Sequence, residues 1–280
     1  MTRPQFASRQ IGEYLVTALS DGNMAASLDL LLGVDSLDAG EIQRQAGIGD
    51  AGNIHINGYL IRGKGRTILV DSGTGGLNNS GGLLQQNLVA VGVCPEEIDT
   101  VLLTHAHPDH IGGLLDPEAQ PVFTRATVYI HPLEVEHWLD NDKQQRAVER
   151  VQRIFALVRR TLNAYQPAVQ LLDDSEVAPG IRPVFLPGHT PGHTGFRIDS
   201  QGQSLLIWGD IVHYPHIQTA HPDASIAFDI DPAQAEATRT ALLAQVVDEN
   251  LLIAGMHFGA QGFAHIFPAG DGYRVAYLEE

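Results

Sequence analysis

A single cysteine among 280 residues excludes an intrachain disulfide and any thiolate zinc cluster, so metal in this chain must be held by histidine and carboxylate. Cys94 itself is expected to be a small buried side chain. Cations are scarce too: 17 Lys and Arg face 33 Asp and Glu, a formal charge of −16. That field repels nucleic-acid phosphates and anionic membrane surfaces, so neither nucleic acid nor membrane is an expected partner. No apolar run approaches the ~20 residues of a membrane span, and MTRPQFASRQIGEYLV holds no run of signal-peptide length. The expectation is a soluble, cytoplasmic protein. No linker or close repeat stands out, and 44% hydrophobic content is ample for a core, so one domain is expected over residues 1–280.

Strand-like runs with Gly-rich punctuation recur at 13–22, 58–73, 99–105 and 126–131. Gly63, Lys64 and Gly65 split the second into a hairpin, and Asp71 stands where its second strand runs out. Helical patterns occupy 81–92, 132–140 and a longer run from Lys143 to Ala164, with Val148, Val151, Ile154, Phe155, Val158 and Leu162 as an apolar stripe. The second half repeats the alternation: strands around 183–187, 195–199 and 204–209, a helix from Pro232 to about Val247, and strands near 251–255 and 273–277. Two β-rich halves that both carry helices predict an α+β sandwich with helices outside the sheets.

Into this frame the stretch TVLLTHAHPDHIGG (100–113) places four candidate metal ligands within six positions. His105 falls at a strand end, and alternation lets His105 and His107 point to one side. Pro108 then forces a bend that turns Asp109 and His110 toward a second position, so the motif can serve two neighbouring ions. Each ion needs further protein ligands from elsewhere. Polar residues stand where other apolar strands stop: His189 in LPGHTPGHTGF, Asp210 after LLIWG and His257 in LLIAGMHFG. An ionised Asp210 is costly to bury alone but not between cations.

In combination, HxHxDH, GHTPGH, a strand-end Asp and a strand-end His resemble the pattern of the metallo-β-lactamase superfamily. The resemblance implies a four-layer αββα sandwich with two divalent metal ions at one edge. One ion would be held by His105, His107 and His189, the other by Asp109, His110 and His257, with Asp210 bridging. The first histidine of GHTPGH matches the family ligand, leaving His193 behind the ligands, and Asp71 matches an aspartate that orients a ligand histidine by hydrogen bond. Zinc suits a donor set of His and Asp; manganese, cobalt or iron fit the same atoms.

Asp210 stands where zinc β-lactamases place Cys or another residue, and His107 where flavodiiron proteins carry Glu. The stretches at 209–243 and 254–266 resemble the methyl parathion hydrolase branch, close to the quorum-quenching lactonases. That resemblance implies a small ester, an acyl homoserine lactone or a phosphotriester as substrate, and a homodimer. It also places Trp138 and Phe155 in the substrate pocket and Tyr214 as an oxyanion donor. Two cations a few Å apart lower the pKa of a bridging water from ~16 toward ~7, making hydroxide available at neutral pH, with Asp109 and Asp210 relaying the proton. The alternatives are a thioester hydrolase of the glyoxalase II type and a non-catalytic metal-binding protein on the same fold.

Overall fold

The structure, a computed structural model, describes residues 6–278. The first half carries β1 (Ser8–Ile11), β2 (Tyr14–Ala25), β3 (Leu31–Leu32), β4 (Asn53–Gly63), β5 (Arg66–Val70), β6 (Thr100–Leu102), β7 (Thr127–Ile130) and β8 (Val169–Leu171). The second carries β9 (Ile181–Phe185), β10 (Thr194–Ser200), β11 (Gln203–Ile207), β12 (Ser225–Ile226), β13 (Leu252–Ala254), β14 (Phe263–Ala269) and β15 (Gly272–Tyr277). Between them lie helices α1 (Ser36–Gln45), α2 (Leu84–Ala90), α3 (Pro108–Ile111) and α4 (Pro132–Leu139). Four more follow: α5 (Asn141–Arg146), α6 (Glu149–Ala164), α7 (Pro215–Ala220) and α8 (Pro232–Asp248).

One sheet runs β1-β2-β4-β5-β6-β7-β8, the other β15-β14-β13-β11-β10-β9, and β3 pairs with β12 in a short ribbon. The two-residue period of a strand sorts side chains into layers. On β4 and β5, Tyr59, Ile61, Ile68 and Val70 enter a core shared with Phe196, Ile198, Leu205 and Ile207 of the facing sheet. Their neighbours Leu60 and Leu69 point the other way, into a second core with Leu84, Leu88, Phe155 and Val158 of the helices. On the far side, Leu206 and Ile253 pack against Leu242, Leu243 and Val246 of α8. The layers are helix, sheet, sheet, helix, as the alternation predicts, and each buried Leu, Ile or Phe contributes roughly 1.5–3 kcal/mol.

Two expectations need correction. The run from Lys143 to Ala164 is two helices rather than one, because Val148 is extended (φ −66°, ψ 155°) and starts α6. Val148 is 68% exposed and leaves the apolar stripe, while Asp140 caps α5 by accepting from the Lys143 amide. Cys94 is exposed, not buried, since it sits at the start of a short turn where Glu97 closes back on its amide. Among the described residues no helix is long and apolar enough to cross a membrane.

Candidate metal centre

Parallel pairing of β5 with β6, and of β11 with β13, delivers chain segments from both sheets to one edge of the sandwich. Asp71 follows β5, His105 and His107 follow β6, Asp210 follows β11 and His257 follows β13. His189 enters from the loop between β9 and β10. Pro108 opens α3 and turns the chain, so that His107 faces one position while Asp109 and His110 face another. The seven side chains form two groups: His105, His107 and His189, and Asp109, His110, Asp210 and His257, with ligand atoms within 4.8 Å of one another in each.

The hydrogen bonds behind these rings define which nitrogens are free. His110 Nδ1 lies 2.7 Å from Asp71 Oδ2, His189 Nδ1 2.8 Å from Asp229 Oδ1, and His257 Nδ1 2.7 Å from the His55 carbonyl. Each partner is an acceptor, so each Nδ1 carries a proton and each Nε2 is left to face the cluster, where it can ligate once deprotonated. Those Nε2 atoms face the cluster: His110 Nε2 and His257 Nε2 lie 3.0 and 3.1 Å from Asp210 Oδ2, and His189 Nε2 lies 2.9 Å from His107 Nδ1. His105 Nε2 completes the first cluster at 3.1 Å from His107 Nδ1. Acceptors this close repel unless a cation or a proton lies among them. Asp210 Oδ1 is buried with no hydrogen-bond partner among the described residues. The donor set therefore fits divalent cations, and the cluster is suited to binding metal ions.

Electrostatics agree. Burial holds His105 and His107 well below the usual imidazole range, hence neutral and able to ligate. Burial opposes charge on His110 too, but Asp210, Asp109 and Asp71 outweigh it and raise its pKa well above the ordinary value. Burial alone would lift Asp210; the surrounding His110, His257 and His213 instead hold it well below the carboxylate range.

Behind the ligands stand residues of two kinds. Asp71 also accepts from the Thr104 amide and hydroxyl, at 2.8 and 2.7 Å, and so fixes the loop that carries His105. His193 places Nδ1 2.8 Å from the Leu186 carbonyl and accepts from the Asp210 amide at 2.8 Å, so both its nitrogens are engaged away from the clusters. That contact requires glycine at 209, whose φ is +64° and where a Cβ would lie 2.5 Å from His193 Nε2. Two carboxylates escaped the sequence reading. Asp229 holds His189, and the fully buried Glu134 accepts from the Ala106 and Gly192 amides and from Trp138 Nε1 at 2.9–3.1 Å, joining both histidine loops to α4. Neither follows an apolar strand, so no local signal marks them.

A cavity of about 550 Å³ opens above the clusters. His107, Asp109, His189 and Asp210 reach it from below, and Trp138 and Phe155 lie on its wall with Met24, Ile154, Phe228 and Ile230. His213, close enough behind Asp210 in sequence to reach the pocket, borders it, as does His137, to which sequence assigned no role. Burial pushes His213 down to about 4, and its Nε2 sits 3.3 Å from Asp210 Oδ2. Tyr214 is not among the lining residues. Its buried hydroxyl donates to the Ala26 carbonyl at 2.9 Å, so its proton is committed away from the cavity and the expected oxyanion donor is not supplied there.

A sequence profile of the metallo-beta-lactamase superfamily matches residues 51–257, and the chain belongs to that superfamily. Among solved structures it is similar to hydrolase AbOPH in the beta lactamase superfamily, with 28% identity, a TM-score of 0.92 and coverage of 100% of this chain and 99% of the other. It is also similar to AidC, a dizinc quorum-quenching lactonase in complex with a homoserine product, with 26% identity, a TM-score of 0.92 and 98% of both chains covered. The N-acyl homoserine lactonase of Bacillus cereus is 26% identical over 121 residues, 43% of this chain and 40% of the relative. The chain spans 40–61% of the length of the first curated relatives it matches.

Proposed function

We propose that this chain hydrolyses small lactones or esters, of the acyl homoserine lactone type, with two divalent cations, zinc first among them, held by the two clusters. The observation that carries this reading is the convergence of histidine ring nitrogens and the unpartnered Asp210 oxygen on the floor of a cavity whose wall is apolar. Likeness to a dizinc lactonase over 98% of the chain supports it.

In this reading His105, His107 and His189 would hold one cation and Asp109, His110 and His257 the other, with Asp210 available to both. Bound cations supply Lewis acidity toward the carbonyl oxygen and make water acidic enough to act at neutral pH. The remaining work falls to the chain. Trp138, Phe155 and Phe228 cover the acyl part and exclude bulk water, which strengthens each electrostatic contact below. Asp109, with a side chain 12% exposed to the cavity, takes a proton from water and returns it to the leaving oxygen as the acyl C–O bond breaks. The water oxygen ends on the acyl carbon, giving a carboxylic acid and an alcohol, or one hydroxy acid from a lactone. A structural metal site closes with four ligands and has no need of a bridging carboxylate, which favours catalysis over storage.

The test is acid release in a pH-stat with zinc-loaded protein and three probes: N-hexanoyl homoserine lactone, para-nitrophenyl hexanoate and a diethyl aryl phosphotriester. Lactone opening that stops on chelation and returns with zinc is expected. Turnover of the phosphotriester alone would move the assignment to phosphoryl chemistry. No turnover of any probe by fully loaded protein would contradict the hydrolase reading.

A further inference from the structure

The cavity mouth carries charge of the sign this chain is poorest in. Arg150, in the first turn of α6, and Lys143, on α5, both line the cavity, and neither belongs to an ion pair among the described residues. In a chain with 17 basic against 33 acidic residues, two cations at one mouth without a bridging carboxylate stand out. Of the acids near them, Glu149 pairs with Arg153, and Asp140 caps α5 through the Lys143 amide and feels the Lys143 charge without forming an ion pair with it.

Placement ties these cations to the site below. The Arg150 guanidinium lies over the Phe228 ring, 5.5 Å from its centroid, and Phe228 lies 6.4 Å from His213, the neighbour of Asp210. Two rings, Phe228 and His213, thus separate Arg150 from Asp210, and Arg150 is held by a cation–π contact that leaves its N–H groups free for an anion. Lys143 acts on the same space. His137, on the cavity wall, is pushed down to about 4, first by burial and then by the nearby Lys143 ammonium. Lys143 and Arg150 lie on either side of the break between α5 and α6 at Ala147 and Val148.

Resting on the hydrolase reading, we infer that Arg150 and Lys143 read an anionic group at the far end of the substrate, so that the favoured substrate is an ester or lactone whose acyl or aryl part ends in a carboxylate or similar anion. The apolar wall holds the middle of such a molecule, the metal clusters take its scissile carbonyl and the rim takes its charged end. An all-apolar tail would bury the wall but leave the two cations without a partner.

The experiment compares two esters of equal length on zinc-loaded protein: para-nitrophenyl hexanoate, which ends in a methyl group, and mono-para-nitrophenyl adipate, which ends in a carboxylate. The readout is the ratio of kcat/KM for adipate over hexanoate. Exposed ion pairs are worth about 0.2–1 kcal/mol, so Arg150→Met should lower the ratio roughly 1.4- to 5-fold, and Lys143→Met with Arg150→Met further. Arg150→Lys should keep most of it. Raising ionic strength should lower the ratio in the wild type and not in the double variant. An unchanged ratio in the double variant, or a loss as large in Arg150→Lys as in Arg150→Met, would overturn the inference while hydrolysis of both esters left the hydrolase reading intact. If the wild type hydrolysed neither ester nor the lactone, both readings would fall.

Discussion

Asp71 occupies a left-handed backbone conformation, φ 58°, that few side chains tolerate, and it spends its carboxylate on Thr104 and His110. Its function is to decide which nitrogen of His110 bears the proton, and Asp229 does the same for His189. An amide at either position can turn its NH2 toward the ring and reverse that choice. Asp71→Asn and Asp229→Asn should therefore each weaken zinc binding by about 10- to 100-fold, read by competition with a chromogenic chelator. Undiminished affinity in both would show that the rings are oriented without them. In the proposed reaction Asp109 has a different part. Asp109→Asn keeps an oxygen donor but cannot carry a proton, so at saturating zinc it should retain both metals and lose about 100-fold in kcat. Full turnover with both metals bound would remove Asp109 from proton transfer.

At the level of elements, the site depends on strand ends meeting at the right register. Asp99 secures one such junction: it accepts from Arg66 Nε at 2.9 Å and from the Thr67 amide at 2.7 Å, pinning the start of β5 beside β6. Partial burial raises its pKa, but Arg66, Thr100 and the Thr67 amide outweigh this and hold it below the usual carboxylate value. A depressed folded-state pKa means that the stabilisation is present above the unfolded value and lost as pH falls through the folded one. Asp99→Asn should lower Tm by about 2–4 °C at pH 7, and the gap to wild type should close as pH drops below about 4. A gap that widened in acid would contradict the sign of this coupling.

Elements also show how much of the account was legible in the sequence. His105, Asp210 and His257 were readable because each interrupts an apolar run where a strand must end, and burying a lone polar group there is expensive. Asp229 and Glu134 were not, since their importance lies in what they reach across the fold: 40 residues to His189, and 58 to the Gly192 amide. The break at Val148 was hidden by a stripe of apolar residues at helical spacing, which says nothing about backbone continuity. Tyr214 was close in sequence to Asp210, but its side chain turns to Ala26, and sequence proximity carries no direction. Strand β14 was missed because FAHIFPA ends in exposed residues and contains Pro268.

For the whole molecule, two sheets bring together ligands that lie between residues 105 and 257 of the chain, a span that no single element covers. The acidic balance of −16 belongs to the same picture, because cations at the edge of the sandwich would be stabilised by carboxylates both at the site and beyond it. The central claim is that the two clusters hold two ions. The most direct measurement is zinc per chain by elemental analysis after exhaustive dialysis against low free zinc, on wild type and on His257→Ala. The account predicts two equivalents in the wild type and one in the variant; a wild type that saturates at one equivalent, or a variant that keeps two, would contradict it.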